Sequence, residues 1–330
     1  MNVVYACDDK YAMLVGASMQ SLLESNCGCE DLQIFVMTNE VSEENKNKLS
    51  AVAKSHQKKV FIIDTAEKLL NDDELKVDTQ RWSIAAFARL YAPQLLPEVE
   101  RIIYLDCDTI IRHSLSEVWN TELGGKPCAA VAEPFSYMHK ANLNMDVADT
   151  YYNSGVMLID LDQWRRTNAK SKFESVIKRH SGKVPYVDQG VLNEAYKDQI
   201  LCLPAKYNVY TEYYDFTYDE VNQYRADRNV YSKEEIEEAK CDPVVVHFVS
   251  SFLSPRPWVE NSTHPYAKEW KDACQKTPWA NAEKWSDRPG KEKIVIRWIF
   301  KHISRPLGLS MAKLANSYIR PYIDRENIIV

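Results

Sequence analysis

Residues 101–111 read Arg-Ile-Ile-Tyr-Leu-Asp-Cys-Asp-Thr-Ile-Ile. Ile102, Ile103, Tyr104 and Leu105 form a short apolar run of β-formers, the pattern of a buried strand, and the run ends in two carboxylates one residue apart, Asp106 and Asp108. Apolar Ile110 and Ile111 follow at once. Two anions at the rim of a hydrophobic sheet repel each other and cost desolvation energy, so they require a cation or strong hydrogen-bond donors. A divalent metal bound by hard oxygen ligands, itself holding something anionic, answers that requirement. The plainer alternative is a solvated acidic turn, a common ending for a strand.

N-terminal to this stretch the periodicity alternates. Asn2–Cys7 reads as a first buried strand; Met13, Leu14, Ala17, Leu22 and Leu23 then recur at helical spacing, with Gly28 near the helix end. Leu32–Thr38 is a second strand, Ser42 with Glu43 and Glu44 opens a second helix that turns Leu49, Val52 and Ala53 inward, and Val60–Asp64 is a third strand. This β-α-β-α-β run predicts an α/β fold with an open, mostly parallel central sheet and flanking helices, in which ligands bind at the carboxyl ends of the strands. Asp8, after the first strand, and Asp106 both fall at that edge.

Ser83–Tyr91 is expected to be a helix carrying Arg89 and stopped near Pro93; taken alone, Arg89 could equally be a surface side chain with a packed stem. Further buried strands are expected at 127–133 and 155–161, an amphipathic helix over 162–180, a helix over 191–196 preceded by Val187-Asp188-Gln189-Gly190, and a strand at 200–203. The Tyr-rich and acidic stretch 207–227 has little period and reads as a structured insertion at the rim of a pocket, where aromatic rings could stack on sugars or simply cover a core edge. Ser232 and Glu235 form a capping box, and Val244–Phe248 is a last apolar strand that places His247 near its end. A lone histidine is usually structural. Converging with Asp106 and Asp108, it would complete two oxygens and one nitrogen, a set that Mn²⁺ accepts while keeping positions open for phosphate oxygens.

The 330 residues, 45% hydrophobic, suffice for one large domain or for a domain with an extension. Eight cysteines without a C-x-x-C pair are expected to be reduced cytosolic thiols, and β-forming residues so close to Met1 argue against a signal peptide. No apolar run approaches the roughly 20 residues of a membrane span, and no nucleic-acid partner is expected. The net charge of −6 is uneven: residues 280–330 carry ten Lys/Arg against five Asp/Glu. We therefore divide the chain into a body, 1–279, and a basic amphipathic helical tail, 280–330. Bulky apolar residues interleaved with cations over 291–322 suit an anionic lipid interface, and suit equally a face docked on the body or on a partner.

Six motifs in order, Tyr5-Ala6-Cys7-Asp8-Asp9-Lys10-Tyr11-Ala12, Phe87-Ala88-Arg89-Leu90, Leu105-Asp106-Cys107-Asp108, Tyr152-Asn153-Ser154-Gly155-Val156, Val187-Asp188-Gln189-Gly190 and Val246-His247-Phe248 through Pro257-Trp258, resemble glycosyltransferase family 8 over about residues 2–270. That family includes bacterial lipopolysaccharide galactosyl- and glucosyltransferases. The resemblance implies a GT-A type nucleotide-diphospho-sugar fold and a retaining transferase that moves galactose or glucose from a UDP-sugar, with Mn²⁺ or Mg²⁺, to a glycan or lipid-linked glycan acceptor in cell-surface glycan biosynthesis. The expected reduced thiols and absent signal peptide, with the basic tail, predict a cytoplasmic protein or one peripheral at the inner face of a membrane. The resemblance, for its part, carries site residues as well. It further implies that Ala6, Asp8, Lys10 and Tyr11 hold the uridine; that Asp106, Asp108 and His247 hold the metal; that Arg89, Asn153, Asp188 and Gln189 bind the donor sugar, Gln189 beside the anomeric carbon; and that Glu133 faces the acceptor. Relatives carry His-x-x-Gly-x-x-Lys-Pro-Trp where this chain has a longer spacing, Ser250 or Ser251 near the Gly place and Arg256 for the Lys. Arginine can take over the phosphate charge, bidentately.

Two other readings compete. Asp106-Cys107-Asp108 after a strand also resembles the nucleophile motif of haloacid-dehalogenase-like phosphatases, but it lies far from the N-terminus and Ile110 stands where Thr or Val is expected. A non-catalytic UDP-sugar-binding protein of the same fold is the second.

Overall fold

The computed structural model describes residues 1–65, 84–286 and 290–329. Its centre is a seven-stranded sheet built from β1 (Asn2–Asp8), β2 (Gln33–Asn39), β3 (Val60–Asp64), β4 (Arg101–Leu105), β6 (Cys128–Ala132), β7 (Tyr152–Asp160) and β8 (Ile200–Leu203), in the order β3-β2-β1-β4-β7-β6-β8. Every neighbouring pair is parallel except those made by β7, which runs against both β4 and β6. The mostly parallel sheet expected from the sequence is therefore present, with one reversed strand at its middle. That reversal matters: it brings the amino end of β7 to the edge where β1, β4 and β6 have their carboxyl ends.

The helices used below are α1 (Ala12–Ser25), α2 (Glu43–Ser55), α3 (Tyr137–Asn142), α4 (Val187–Ala195), α5 (Tyr218–Arg225), α6 (Ala267–Gln275), α7 (Lys291–His302), α8 (Arg305–Leu314) and α9 (Arg320–Ile329). Ser42 caps α2 by accepting from the Asn45 N–H, and Leu49, Val52 and Ala53 are buried as their spacing requires. Helix α1 closes on Asn26, whose N–H and side-chain amide both bond the Leu22 carbonyl, so Gly28 is not its cap.

Several local expectations are corrected. The described part of the 83–91 segment, Ile84–Tyr91, is a 3₁₀ run, longer than usual for that form; burial of Phe87, Ala88 and Leu90 holds it, and Ser83 lies outside the described residues. Pro93 does not stop that run; it sits in the first turn of the short helix Ala92–Leu95, where a missing N–H costs nothing. The 162–180 helix is two, Leu161–Arg166 and Ala169–Arg179, because Asn168 turns left-handed at φ 49°. The helix expected at 191–196 begins at Val187, so Asp188 and Gln189 lie in its first turn. In the 207–227 stretch, Tyr207, Tyr210 and Tyr213 are buried, so of the two readings of those rings the core-edge one holds for these three.

A second sheet went unforeseen. β5 (Thr109–Ile111) pairs with β10 (Val245–His247), which pairs with β9 (Val209–Tyr210). The apolar residues after Asp108 thus leave the main sheet and enter a small one, with His247 opposite Thr109 in antiparallel register.

The C-terminal helices fold back on the body. Phe300, Leu309 and Ala312 are buried, and Gly308 lets α8 approach α7 so closely that a Cβ would lie 2.7 Å from the Phe300 Cα. Between α8 and α9 the chain makes one π-turn, Ala315–Ile319. Such a turn exposes carbonyls to outside donors. Here Ser136 Oγ donates to the Ser317 carbonyl (3.1 Å), His139 Nε2 lies 2.9 Å from the Asn316 carbonyl, and Ser317 Oγ donates to the Tyr224 carbonyl (2.8 Å). All eight cysteines are free, and no helix among the described residues is long and apolar enough to cross a membrane.

Candidate active site

The site forms along the edge where three parallel strands end and β7 begins. β1 delivers Asp8, β4 delivers Asp106 to Asp108, β6 is followed by Glu133, and β7 starts with Tyr152, Asn153, Ser154 and Gly155. The register fixes the meeting: Leu105 faces Val156, and the Asp106 N–H donates to the Gly155 carbonyl at 2.8 Å.

Asp106, Asp108 and His247 converge, with ligand atoms all within 4.8 Å of one another. His247 Nε2 is 3.2 Å from Asp108 Oδ1 and 3.7 Å from Asp106 Oδ2. The histidine arrives from the small sheet rather than along the main sheet's edge; pairing of β10 with β5 seats it over the residues that directly precede β5. Its other nitrogen, Nδ1, lies 3.0 Å from Asn208 Oδ1, and Asn208 Nδ2 in turn donates to Asn153 Oδ1 at 2.8 Å. That outer partner selects the tautomer with a proton on Nδ1 and turns the Nε2 lone pair toward the carboxylates, the arrangement of a metal-binding imidazole. Burial resists charge on His247, but Asp108 and Asp106 outweigh it, so its pKa lies above the usual imidazole value. Burial likewise resists ionisation of Asp108, yet His247 and Arg256 hold its carboxyl below the usual range. Two hard oxygens, one imidazole nitrogen and an outer amide fit a divalent cation such as Mn²⁺.

Arg89 is a buried hub, not a surface cation. From the 3₁₀ run its Nη2 reaches Asp106 Oδ1 (2.7 Å), its Nε reaches Asp188 Oδ2 (2.9 Å), its Nη1 donates to the Ser154 carbonyl (2.5 Å), and its guanidinium lies 4.0 Å from the centre of the Tyr104 ring. Asp188 is fully enclosed; burial lifts its pKa to about 6 despite Arg89. Tyr186 and Val187, both at positive φ (59° and 47°), lead into α4 under strain, and Gly190 leaves no room for a side chain, since a Cβ would meet the Pro185 carbonyl oxygen at 2.0 Å.

Gln189 is held at both ends of its amide. Oε1 accepts from the Ser154 N–H (3.0 Å), while Nε2 donates to Glu133 Oε1 (2.8 Å) and to Tyr151 Oη (3.0 Å). Glu133 is buried and also accepts from Asn153 Nδ2 at 3.4 Å. Arg225 lies 3.9 Å from Glu133 and binds Glu212 through two contacts of 2.7 and 2.8 Å. Sequence reading missed Asn208, Ser154, Tyr151 and Arg225; Ser154 alone stood inside a quoted motif.

At the other end Asp8 caps the turn Asp9–Tyr11 by accepting from the Tyr11 N–H (3.2 Å), Ala6 lies buried in β1, and Lys10 is exposed. Arg256 does reach the Asp106–Asp108–His247 cluster, 3.5 Å from Asp108 Oδ2. The loop before it is tied down because Ser251 and Ser254 both donate to Asp215.

The topology is that of GT-A type glycosyltransferases, a likeness visible against solved structures. The galactosyltransferase LgtC in complex with donor and acceptor sugar analogs superposes with a TM-score of 0.68 at 22% identity, over 84% of this chain and 96% of that one. Residues 2–262 match the model of glycosyl transferase family 8, and the chain belongs to that family. It is 27% identical to general stress protein A of Bacillus subtilis (strain 168), over 84% of this chain and 94% of the relative. It is 26% identical to the lipopolysaccharide 1,2-glucosyltransferase of Escherichia coli (strain K12), over 92% and 85% respectively. The chain is therefore a glycosyltransferase by family, and the phosphatase reading of Asp106 falls.

Proposed function

We propose that this chain transfers galactose or glucose from a UDP-sugar to a glycan or lipid-linked glycan acceptor with retention of anomeric configuration. The observation that carries this reading is the convergence of Asp106, Asp108 and His247, with Asn208 orienting the imidazole, beside a preorganised Arg89–Asp188–Gln189 cluster. Asp106, Asp108 and His247 would hold the metal, Mn²⁺ by preference and Mg²⁺ as a substitute. When bound, that ion would stabilise the charge that grows on the departing diphosphate.

The protein's own groups would do the rest. Asp8, Lys10 and Tyr11, with Ala6 behind them, bind the uridine. Arg256, already beside Asp108, supplies positive charge near the diphosphate. Arg89 fixes the carboxylates of Asp106 and Asp188, and Asp188 and Asn153 accept from or donate to the donor sugar's hydroxyls. The Gln189 carbonyl oxygen, locked by the Ser154 N–H, presents partial negative charge to the oxocarbenium-like centre. Glu133 faces the acceptor. In the step itself the bond from the anomeric carbon to the β-phosphate oxygen breaks, the acceptor oxygen bonds the same carbon from the same face, and its proton passes to a β-phosphate oxygen. A covalent route through Asp188 is less favoured, because Arg89 and Ser154 both hold its Oδ2 and burial disfavours a free carboxylate.

The body, 1–279, would then be the donor-binding unit. The basic tail would contact an anionic membrane from the cytoplasmic side through its exposed apolar residues while its inner face docks on the body. The reading is tested with a panel of UDP-sugars and Mn²⁺: slow UDP release from UDP-galactose or UDP-glucose is expected, and Asp108→Asn should abolish it. Equal release by the variant sinks the reading; tight UDP-sugar binding without release would establish the non-catalytic alternative.

A further inference from the structure

Beyond the residues that match the family, the segment from 276 to 286 runs as a strap back along α1. Lys276 pairs with Glu24 near the end of α1 (2.8 Å). Trp279 packs on Gly16 in the helix middle, where a Cβ would meet its ring at 2.4 Å, and its indole N–H donates to Asn45 Oδ1 (3.3 Å). Asn45 also donates to Asp9 (2.8 Å). The strap ends over the start of α1: the Trp285 ring meets the Tyr11 ring edge to face at 5.6 Å, and Lys10 Nζ stands 4.8 Å from the Trp285 ring centre.

Trp285 is itself fixed. Its N–H donates to the Trp258 carbonyl (2.9 Å), its carbonyl accepts from the Glu260 N–H (3.0 Å), and its ring packs on Trp258 at 6.1 Å. Trp258 lies two residues after Arg256, the cation beside Asp108, whose guanidinium stands 5.5 Å from the Trp258 ring centre. One indole thus touches two residues of the uridine end, Lys10 and Tyr11, and is anchored to the loop that serves the metal end.

We propose that Trp285 is a positioning residue for the nucleobase: it sets the tilt of the Tyr11 ring and restrains Lys10, so that the end of the donor site that recognises uridine is completed by a residue outside the family's matched span. This rests on the uridine-binding reading of Asp8, Lys10 and Tyr11. Edge-to-face aromatic contact and a cation over the indole each make a modest contribution, so the effect should be partial rather than total.

The test is titration calorimetry on the full chain with UDP and, separately, with pyrophosphate, both with Mn²⁺. Trp285→Ala should weaken UDP binding about three- to tenfold and leave pyrophosphate binding within about twofold. Trp285→Phe should keep most of the wild-type affinity, and in a Tyr11→Ala background the loss of Trp285 should add less than about twofold. Unchanged UDP affinity, equal loss for UDP and pyrophosphate, or a full effect without Tyr11 would each overturn the inference while leaving the donor reading intact. A wild-type protein that binds pyrophosphate but not UDP would overturn both.

Discussion

A Cβ on Gly155 would lie 2.3 Å from Cε1 of His247 and 2.7 Å from its Nδ1. The two residues belong to different sheets, 92 positions apart in sequence, and the imidazole occupies the volume that any side chain at 155 would need. The glycine in Asn153-Ser154-Gly155 is therefore a requirement of the Asp106–Asp108–His247 cluster, not of a turn.

Gly155→Ala should displace the imidazole. Because misplacing a ligand or its support typically costs about 10- to 100-fold in metal affinity, we expect a loss of that order in Mn²⁺ binding by calorimetry. The thermal midpoint should fall too, since the ring has no other place in a packed interior. Wild-type Mn²⁺ affinity in this variant would contradict the arrangement.

Asn208→Ala removes the acceptor for the His247 Nδ1 proton and a donor to Asn153. Mn²⁺ binding should weaken by roughly tenfold or more. Asn208→Asp, which keeps an acceptor at that place, should recover part of the loss. Identical affinities in all three proteins would argue against an orienting role.

His139 on α3 gives the tail a pH dependence. Burial, reinforced by Arg320 and Arg225 and opposed by the Asn316 carbonyl, lowers its pKa to about 3 from 6.5. Between those values the unfolded chain binds a proton that the folded chain does not, so this residue makes stability rise with pH across the window and fall on acidification. Melting followed from pH 7 to 5 should show a decline that is shallower in His139→Gln; parallel curves would refute the assignment.

Ile294, Val295, Trp298 and Ile303 are each half or more exposed on or just after α7. Trp298→Ser with Ile303→Ser leaves the docked face of Phe300, Leu309 and Ala312 alone, and should markedly reduce co-sedimentation with phosphatidylglycerol vesicles if this face meets lipid. Co-sedimentation equal to wild type would assign the exposed residues another role. Removing the whole tail would be a poorer test, because it also strips buried side chains.

Much of the fold was legible because it is local. Helical and strand periods over residues 2–64 located β1, α1, β2, α2 and β3 within a residue or two, and an apolar run ending in Asp106 and Asp108 marked the carboxyl edge. Motif order then singled out Arg89, Gln189 and His247, and the family resemblance added Glu133; the fold brings Arg89, Gln189 and Glu133 to that edge and seats His247 over it from the small sheet. Where sequence reading failed, the cause was tertiary. Asn168 breaks a helix whose amphipathic period continues across it, whereas burial of the tyrosines at 207, 210 and 213 agrees with the core-edge reading of that stretch.

By itself, then, the sequence determined the element pattern, the family and the residue types of the cluster, since periodicity and short motifs are properties of neighbours in the chain. Only the tertiary structure decided that β7 runs backwards to bring Asn153–Gly155 beside Asp106, that β10 joins β5 to seat His247, that Asn208 orients it, and that Trp285 returns to Tyr11. Those are pairings between segments tens to hundreds of residues apart, chosen by register and by the burial of whole faces, and no local pattern encodes them.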